Sequence, residues 1–134
     1  MDKKIATVIT LGIMAISMTS CSKGVLLSGK TYNITELNGT ALPGSEMSPA
    51  FISFKDDEIN TSVGCNRIFA PYKALKDGSI TISEGGATKM FCPDVLREDE
   101  YLAALNKVKR YEIDGKTVSF YDENGKLLFK ATEK

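Results

Sequence analysis

Alternating apolar and polar positions run through most of the chain and predict short antiparallel β-strands. In the stretch 30–37, for example, Tyr32 and Ile34 share one face, and Asn38 and Gly39 then mark a hairpin turn. A single apolar face indicates a sheet that is buried on one side only. The stretches with this pattern are residues 30–37, 50–55, 58–64, 66–75, 79–83, 111–114, 117–122 and 126–132.

One stretch, residues 93–107, has the spacing of a helix. Tyr101, Leu102 and Leu105 recur at intervals of three and four residues, which places them on one helical face. Pro93 suits the first helical position, and acidic residues near the start with basic residues near the end match the helix dipole. We therefore expect one α-helix, inserted before the last three strands.

Together these elements predict a mainly β (α+β) fold. A sheet of about eight strands protects its edges best by closing, or nearly closing, on itself. We expect a curved antiparallel sheet that closes into a roughly eight-stranded, barrel-like domain. The helix would then cover one end or one side of the barrel.

The N-terminal end of the chain follows the pattern of an export signal. Two lysines precede an uncharged, mostly apolar run over residues 5–18, and small residues follow it. A positive start, a short apolar core and a small-residue exit are typical of a signal peptide. The run is shorter than the roughly 20 apolar residues that a membrane-spanning helix needs.

A cysteine at the expected cleavage site changes the prediction from secretion to anchoring. The tetrapeptide from Met18 to Cys21 resembles the lipobox of bacterial lipoproteins, with Met where the lipobox usually has Leu. The resemblance implies a lipoprotein signal peptide at 1–20, a diacylglyceryl group on Cys21, a tether at 21–29 and one domain at 30–134. The alternative is an ordinary signal peptide that leaves Cys21 as a free thiol. We expect a lipid-anchored cell-envelope protein that faces the periplasm.

Charge and composition exclude several classes of function. The 17 basic and 17 acidic residues balance, which argues against a nucleic-acid partner because phosphate binding needs a basic face. The chain has no histidine, so the commonest metal ligand and the commonest general base at neutral pH are absent. The acidic residues at 94–100 spread around the predicted helix as a solvated face, so we predict no metal site and no cofactor.

Cys65 and Cys92 are the remaining cysteines if Cys21 carries the lipid. Two cysteines in an oxidising compartment more often pair than stay free, so a structural disulfide is the first expectation. Two other interpretations stay open, a pair of buried thiols and a redox pair with Cys92 as the nucleophile. The redox interpretation lacks both a Cys-x-x-Cys spacing and a histidine that would activate either sulfur.

Two short motifs carry a family resemblance. Gly-Cys-Asn at 64–66 and Thr-Lys-Met-x-Cys at 88–92 resemble motifs of the META domain family of HslJ-like proteins. The resemblance covers roughly residues 28–134, and the chain departs from the family at Tyr32, where Trp is common. It implies a compact, mostly antiparallel, barrel-like domain in secreted or lipid-anchored proteins, often linked with envelope stress such as heat shock. It implies no reaction, because the family has no agreed biochemical activity.

Five motif residues are candidates for binding a partner. They are the polar pair Asn66 and Arg67 with nearby Tyr72, and the pair Thr88 and Lys89. The alternative for Asn66 is structural, because an asparagine at a bend satisfies backbone groups with both its donor and its acceptor. Thr88 beside Lys89 lacks the Ser-x-x-Lys spacing of a hydrolase, so we predict no catalytic residue here.

These observations favour a monomeric, non-enzymatic envelope lipoprotein that binds a protein or ligand, or acts as a stress-related accessory factor. A first alternative is a barrel-type carrier of a small apolar ligand, in which aromatic residues line a cavity. A chain of this size needs the same residues to fill its core. A second alternative is a thiol-redox or hydrolytic enzyme. The aromatic residues that would line the cavity of the carrier, or otherwise fill the core, are Phe51, Phe54, Tyr72, Phe120 and Phe129.

Overall fold

The computed structural model describes residues 26–42 and 49–134. The expected signal peptide, Cys21, the first part of the tether and most of the loop before residue 49 lie outside the described residues. The described chain contains ten strands and two helical segments. These are β1 Thr31–Leu37, β2 Thr40–Ala41, β3 Phe51–Phe54, β4 Glu58–Ser62, β5 Ile68–Ala74, β6 Ile80–Ile82, β7 Gly86–Ala87, a 3-10 helix Asp94–Leu96, α1 Glu98–Leu105, β8 Arg110–Asp114, β9 Thr117–Tyr121 and β10 Leu127–Glu133.

Eight of the strands form an antiparallel sheet that curls almost into a closed barrel. Their order is β6-β5-β4-β3-β1-β10-β9-β8, while the short strands β2 and β7 pair with β1 and β5. The two end strands meet at a seam, where the amide of Ile80 donates to the carbonyl of Lys109 at 3.1 Å. The amide of Tyr111 donates to the carbonyl of Gly78 at 2.9 Å in the same seam. The expected barrel-like fold is confirmed.

Alternating burial along the strands explains why the sheet curls around a core. In β5, Ile68, Ala70, Tyr72 and Ala74 are buried, and every residue between them is exposed. A strand with this two-residue period covers a core with one face and meets solvent with the other. The predicted extended stretch 66–75 thus contains β5, and the structure shows that Tyr72 lies on its inner face.

Aromatic side chains fill the interior of the barrel. Phe54 stacks on Phe120 with ring centroids 6.1 Å apart, and Phe120 stacks on Phe129 at 4.6 Å. Tyr72 packs edge-on against Phe54 at 5.1 Å, and Tyr101 from α1 packs edge-on against Phe129 at 5.2 Å. All five rings are buried. They occupy the space that a carried ligand would need, as expected for core residues.

The α-helix is shorter than the predicted stretch 93–107, because the chain breaks at Arg97. This residue has a φ of 58°, which ends the 3-10 helix before α1 begins at Glu98. Its guanidinium donates to the carbonyl of Leu37 at 3.1 Å and to the Glu100 carboxylate at 2.6 Å and 2.9 Å. The bend is thus held by a strand distant in sequence, which helical spacing does not reveal.

The turn at residues 26–29 packs onto the barrel. Leu27 is fully buried, and the amide of Gly29 donates to the carbonyl of Phe54 at 2.8 Å. The folded domain therefore extends beyond its predicted start at residue 30, at least to Leu27. Within the described ranges, no helix is long and apolar enough to cross a membrane.

Tyr101 joins α1 to the barrel wall through a buried hydrogen-bond chain. Its hydroxyl lies 2.7 Å from the Thr61 hydroxyl, which donates to the carbonyl of Phe51 at 2.6 Å. A carbonyl only accepts, so the single Thr61 proton is used there and Tyr101 must donate to Thr61. Burial raises the pKa of Tyr101, so this donor keeps its proton at physiological pH.

Because of this donor order, removing the Tyr101 hydroxyl and removing the Thr61 hydroxyl should lower the stability by different amounts. We expect Tyr101→Phe to lower the free energy of unfolding by about 1 kcal/mol, because Thr61 keeps its own acceptor. We expect Thr61→Val to cost about 1–3 kcal/mol, because it leaves a buried tyrosine hydroxyl without an acceptor. Urea unfolding measures both, with Tyr121→Phe as the control, since its hydroxyl makes only a long contact of 3.4 Å with Glu112. A larger loss for Tyr101→Phe than for Thr61→Val would contradict the order.

Candidate functional site

The two motif segments lie side by side and are cross-linked. Cys65 and Cys92 form a disulfide; their Cα atoms are 6.0 Å apart, and the two residues are 27 positions apart in sequence. The amide of Thr88 also donates to the carbonyl of Arg67 at 3.0 Å, which extends the pairing of β5 with β7. Of the three interpretations of the cysteines, the structure therefore contains the disulfide.

Asn66 lies at the centre of the two segments, with only 5% of its surface exposed. Its Oδ1 accepts from the amide of Met90 at 2.7 Å and from the Thr88 hydroxyl at 3.0 Å. Its Nδ2 donates to the carbonyl of Met90 at 3.2 Å and to Glu98 at 2.8 Å, and lies 3.1 Å from the Cys92 sulfur. One side chain thus satisfies both backbone groups of Met90, as a neighbouring strand would. We call Asn66, Thr88, Met90, Cys92 and Glu98 the Asn66 cluster.

Glu98 completes the cluster from the first residue of α1. One carboxylate oxygen accepts from the backbone N–H of Asn66 at 3.0 Å, and the other accepts from the side-chain Nδ2 of Asn66 at 2.8 Å. The side chain is half-buried, so it does not belong to the solvated acidic face expected from the sequence. An acidic residue at a helix start is expected from the dipole alone, which is why the sequence did not single it out.

Two residues of the cluster, together with Cys65, carry groups of the kind that bind metals. The sulfurs of Cys65 and Cys92 and a Glu98 oxygen lie within 4.8 Å of one another. Metal binding by cysteine needs thiolates, and the disulfide uses both sulfurs. In this oxidised form the three groups are a structural cross-link beside a hydrogen-bonded carboxylate.

The remaining candidate residues, Arg67, Tyr72 and Lys89, have different surroundings. The guanidinium of Arg67 lies over the ring of half-buried Phe51, 5.3 Å from its centroid, so Phe51 is outside the aromatic interior. Tyr72 is buried inside the barrel, where its hydroxyl donates to the carbonyl of Lys55 at 2.6 Å and burial raises its pKa. Lys89 is exposed. The structure thus brings Asn66, Arg67 and Thr88 together and separates Tyr72 from them.

A segment next to the cluster carries the most exposed apolar side chains of the described chain. Met90 is 59% exposed, Val95 is 66% exposed and Phe91 is fully exposed. The backbone of Met90 is held by hydrogen bonds to Asn66, and the side chain of Cys92 is cross-linked to Cys65, so Phe91 lies between two fixed residues. We call residues 88–96 the Phe91 loop. Exposed apolar residues grouped in this way are typical of interaction sites.

A groove of about 350 Å³ runs between the Phe91 loop and the start of α1. Met90 and Phe91 line its apolar side, and Asp94, Glu98 and Asp99 contribute carboxylates. The cation that lines it is Arg97, whose charge is paired with Glu100. The groove therefore combines an apolar wall with unbalanced negative charge.

Glu100 supports the bend at Arg97 through charge. Its carboxylate accepts from the Arg97 guanidinium and from the Asn38 side chain at 2.8 Å. These hydrogen bonds, that of Arg97 first, lower the pKa of Glu100 to about 2. A carboxylate with a lowered pKa stabilises the folded chain above its ordinary pKa near 4.5, and this stabilisation is lost as the pH falls towards 2.

We therefore expect Glu100→Gln to make the free energy of unfolding less dependent on pH between 4.5 and 2. The loss should stay under about 1 kcal/mol at neutral pH, because the pair is partly exposed and screened by water. It should shrink as the pH falls from 4.5 towards 2, where the native carboxylate is protonated as well. Thermal unfolding between these pH values measures this, with exposed Asp57→Asn as the matched control. A loss that does not change with pH would contradict the assignment.

The sequence and the fold of this chain were compared with those of known proteins and families. A model of the META domain matches residues 23–134. The chain is similar to an NMR structure of a protein from Burkholderia xenovorans, with 23% identity, coverage of 81% of this chain and 84% of that chain, and a TM-score of 0.63. It is also similar to the crystal structure of a DUF4847 family protein from Bacteroides vulgatus, with 17% identity, coverage of 80% and 94%, and a TM-score of 0.58.

These matches differ in what they show. At such identities the two solved structures share the fold with this chain, and they carry no function to it. No curated protein matches the chain. The family match, in contrast, covers the two motifs and the whole described barrel, and it confirms the resemblance seen in the sequence. The chain belongs to the META domain family.

Proposed function

We propose that this chain is a non-enzymatic lipoprotein of the bacterial cell envelope that binds a partner through the Phe91 loop. The observation that carries the proposal is a fully exposed phenylalanine between two fixed points. Burying such a side chain is worth about 1.5–3 kcal/mol, which the isolated chain forgoes. A loop that is already ordered loses little entropy on binding, so most of this energy is available to a partner.

The hydrogen bonds of the motif support a structural role over a catalytic one. In the side-chain amide of Asn66, both the oxygen and the nitrogen already have hydrogen-bond partners. The Thr88 hydroxyl donates to Asn66 and accepts from the amide of Arg67 at 2.9 Å. Neither group is free to act as a nucleophile or base, and the chain has no histidine that would activate it.

The envelope location rests on the N-terminal sequence. A lipid on Cys21 would hold the domain at a membrane surface, facing the periplasm, with a tether of only a few residues before the turn at 26–29. A protein held there meets other envelope proteins at high effective concentration. We propose that the domain acts as a monomeric, stress-related accessory factor in this setting.

The anchor is tested by metabolic labelling with an alkyne fatty acid. We expect the full chain to take up the label and to fractionate with membranes. Cys21→Ser should lose the label, whereas Cys65→Ser should keep it. Absence of label from the native chain would exclude the lipid anchor and leave the binding proposal to its own test.

The binding proposal is tested by chemical cross-linking of the native envelope, followed by purification of the tagged chain. We expect a discrete cross-linked partner that Phe91→Ser removes. Ile113→Ser is the matched control, because Ile113 is an exposed apolar residue of β8, 39% exposed. Equal cross-linking by the native chain and Phe91→Ser would contradict the assignment of the Phe91 loop.

A further inference from the structure

We propose that the groove beside the Phe91 loop takes a cationic, partly apolar segment of a partner protein, in which Lys or Arg flanks a large apolar side chain. This inference rests on the proposed function and specifies the chemistry of its partner. It is carried by the apolar and acidic walls of one groove. An apolar side chain and a cationic side chain in the same ligand would complement these two walls.

The apolar wall fixes where the apolar side chain of the partner would lie. Met90 and Phe91 line the groove, and the Met90 backbone is held at 2.7 Å and 3.2 Å by Asn66. Aromatic residues and Met are enriched in protein interfaces relative to the rest of the surface. We therefore place the large apolar side chain of the partner against Phe91.

The acidic wall fixes the charge of the partner. Asp94 and Asp99 line the groove and are exposed, and no residue of the described chain forms an ion pair with either of them. The groove cation, Arg97, is already held by Glu100 at 2.6 Å. A Lys or Arg of the partner would complement the carboxylates of Asp94 and Asp99, and complementary charge favours both association rate and specificity.

The same charge argues against a membrane surface as the occupant. An exposed Phe and Met would suit a bilayer interface, but anionic headgroups would meet Asp94 and Asp99 at close range. Like charges at such distances repel, and the repulsion is largest at low salt. A protein segment that brings its own cations satisfies both walls, so we favour a peptide-like occupant.

The test uses the full chain in phosphatidylcholine nanodiscs and two fluorescent peptides. The probes are Lys-Phe-Lys-Leu-Lys and its charge-reversed match Glu-Phe-Glu-Leu-Glu, measured by anisotropy against empty nanodiscs. We expect the cationic peptide to bind at least about tenfold more tightly than the anionic one. Phe91→Ser should weaken cationic binding about tenfold or more, while Ile113→Ser should leave it unchanged.

The charge variants separate the two walls of the groove. Asp94→Asn combined with Asp99→Asn should remove most of the preference for the cationic peptide, and Asp57→Asn should not. Equal affinity for both peptides, or full affinity in Phe91→Ser, would overturn the inference. So would a photo-cross-link from benzoylphenylalanine at position 91 that joins lipid and not the cationic peptide. A partner found in the envelope by the Phe91-dependent cross-link would then still support the proposed function, with a ligand of different chemistry.

Discussion

Replacing both Cys65 and Cys92 by serine is expected to lower the free energy of unfolding by roughly 3.5 kcal/mol. The disulfide closes a loop whose ends are 27 positions apart, and it limits the unfolded chain more than the folded one. For a domain of this size, such a loss corresponds to a decrease of roughly 10–20 °C in the melting temperature. Guanidinium unfolding of the native chain and the double variant measures it directly.

Reduction provides the matched control for the disulfide prediction. Dithiothreitol should lower the stability of the native chain by a similar amount and leave the double serine variant unaffected. A native chain that unfolds at the same denaturant concentration with and without reductant would contradict the stabilising role. Rapid cycling of the pair under mild reductant, with the fold intact, would instead favour the redox interpretation.

Replacing Asn66 by aspartate is expected to cost about 3–5 kcal/mol, although the two side chains have nearly the same shape. The nitrogen that donates to Met90 and Glu98 becomes an oxygen that faces two acceptors, at 3.2 Å and 2.8 Å. Two carboxylates at the shorter distance repel each other, and water screens this repulsion little at residue 66 because Asn66 is only 5% exposed. The two bonds that Nδ2 donates are lost together, while the other oxygen can still accept from the Met90 amide.

The pH dependence of this variant distinguishes charge repulsion from a packing defect. Two adjacent carboxylates in the folded state retain a proton that the unfolded chain releases, so the deficit should shrink as the pH is lowered. Denaturant unfolding at several pH values measures this, with Asn124→Asp as a control that adds the same charge to an exposed hairpin turn. A deficit that stays constant with pH would contradict the close contact between residue 66 and Glu98.

The parts of the fold that depend on local pattern were predictable. The closing strands β8 to β10 and the turns between them lie where alternation and the glycines at 115 and 125 place them. The strands β2 and β7 were missed because two residues are too few to show a period. β7 also depends on the close approach before it, since a Cβ atom at Gly85 would lie 2.7 Å from the Ala70 Cα atom. Such an approach between distant segments leaves no periodic signal.

The site was predictable only as far as its motifs reach. The sequence indicated a structural or binding role for Asn66, and the structure shows bonds to Met90 and Glu98, 24 and 32 positions away. The partners of a buried amide depend on tertiary contacts, so the sequence could not name them. The sequence did not distinguish Phe91 as a binding residue, because aromatic residues in a small chain usually belong to the hydrophobic core. Tyr72, named beside the motif, is one of those core residues.

The central claim is that the Asn66 cluster holds the Phe91 loop as the binding surface of an envelope protein. Photo-cross-linking in living cells from benzoylphenylalanine, placed at position 91 or at position 113, tests it most directly. We expect one defined partner protein to be linked at position 91, through a basic and apolar segment, and no such product at position 113. Products that are equal from both positions, or a linked partner at 113 alone, would contradict it.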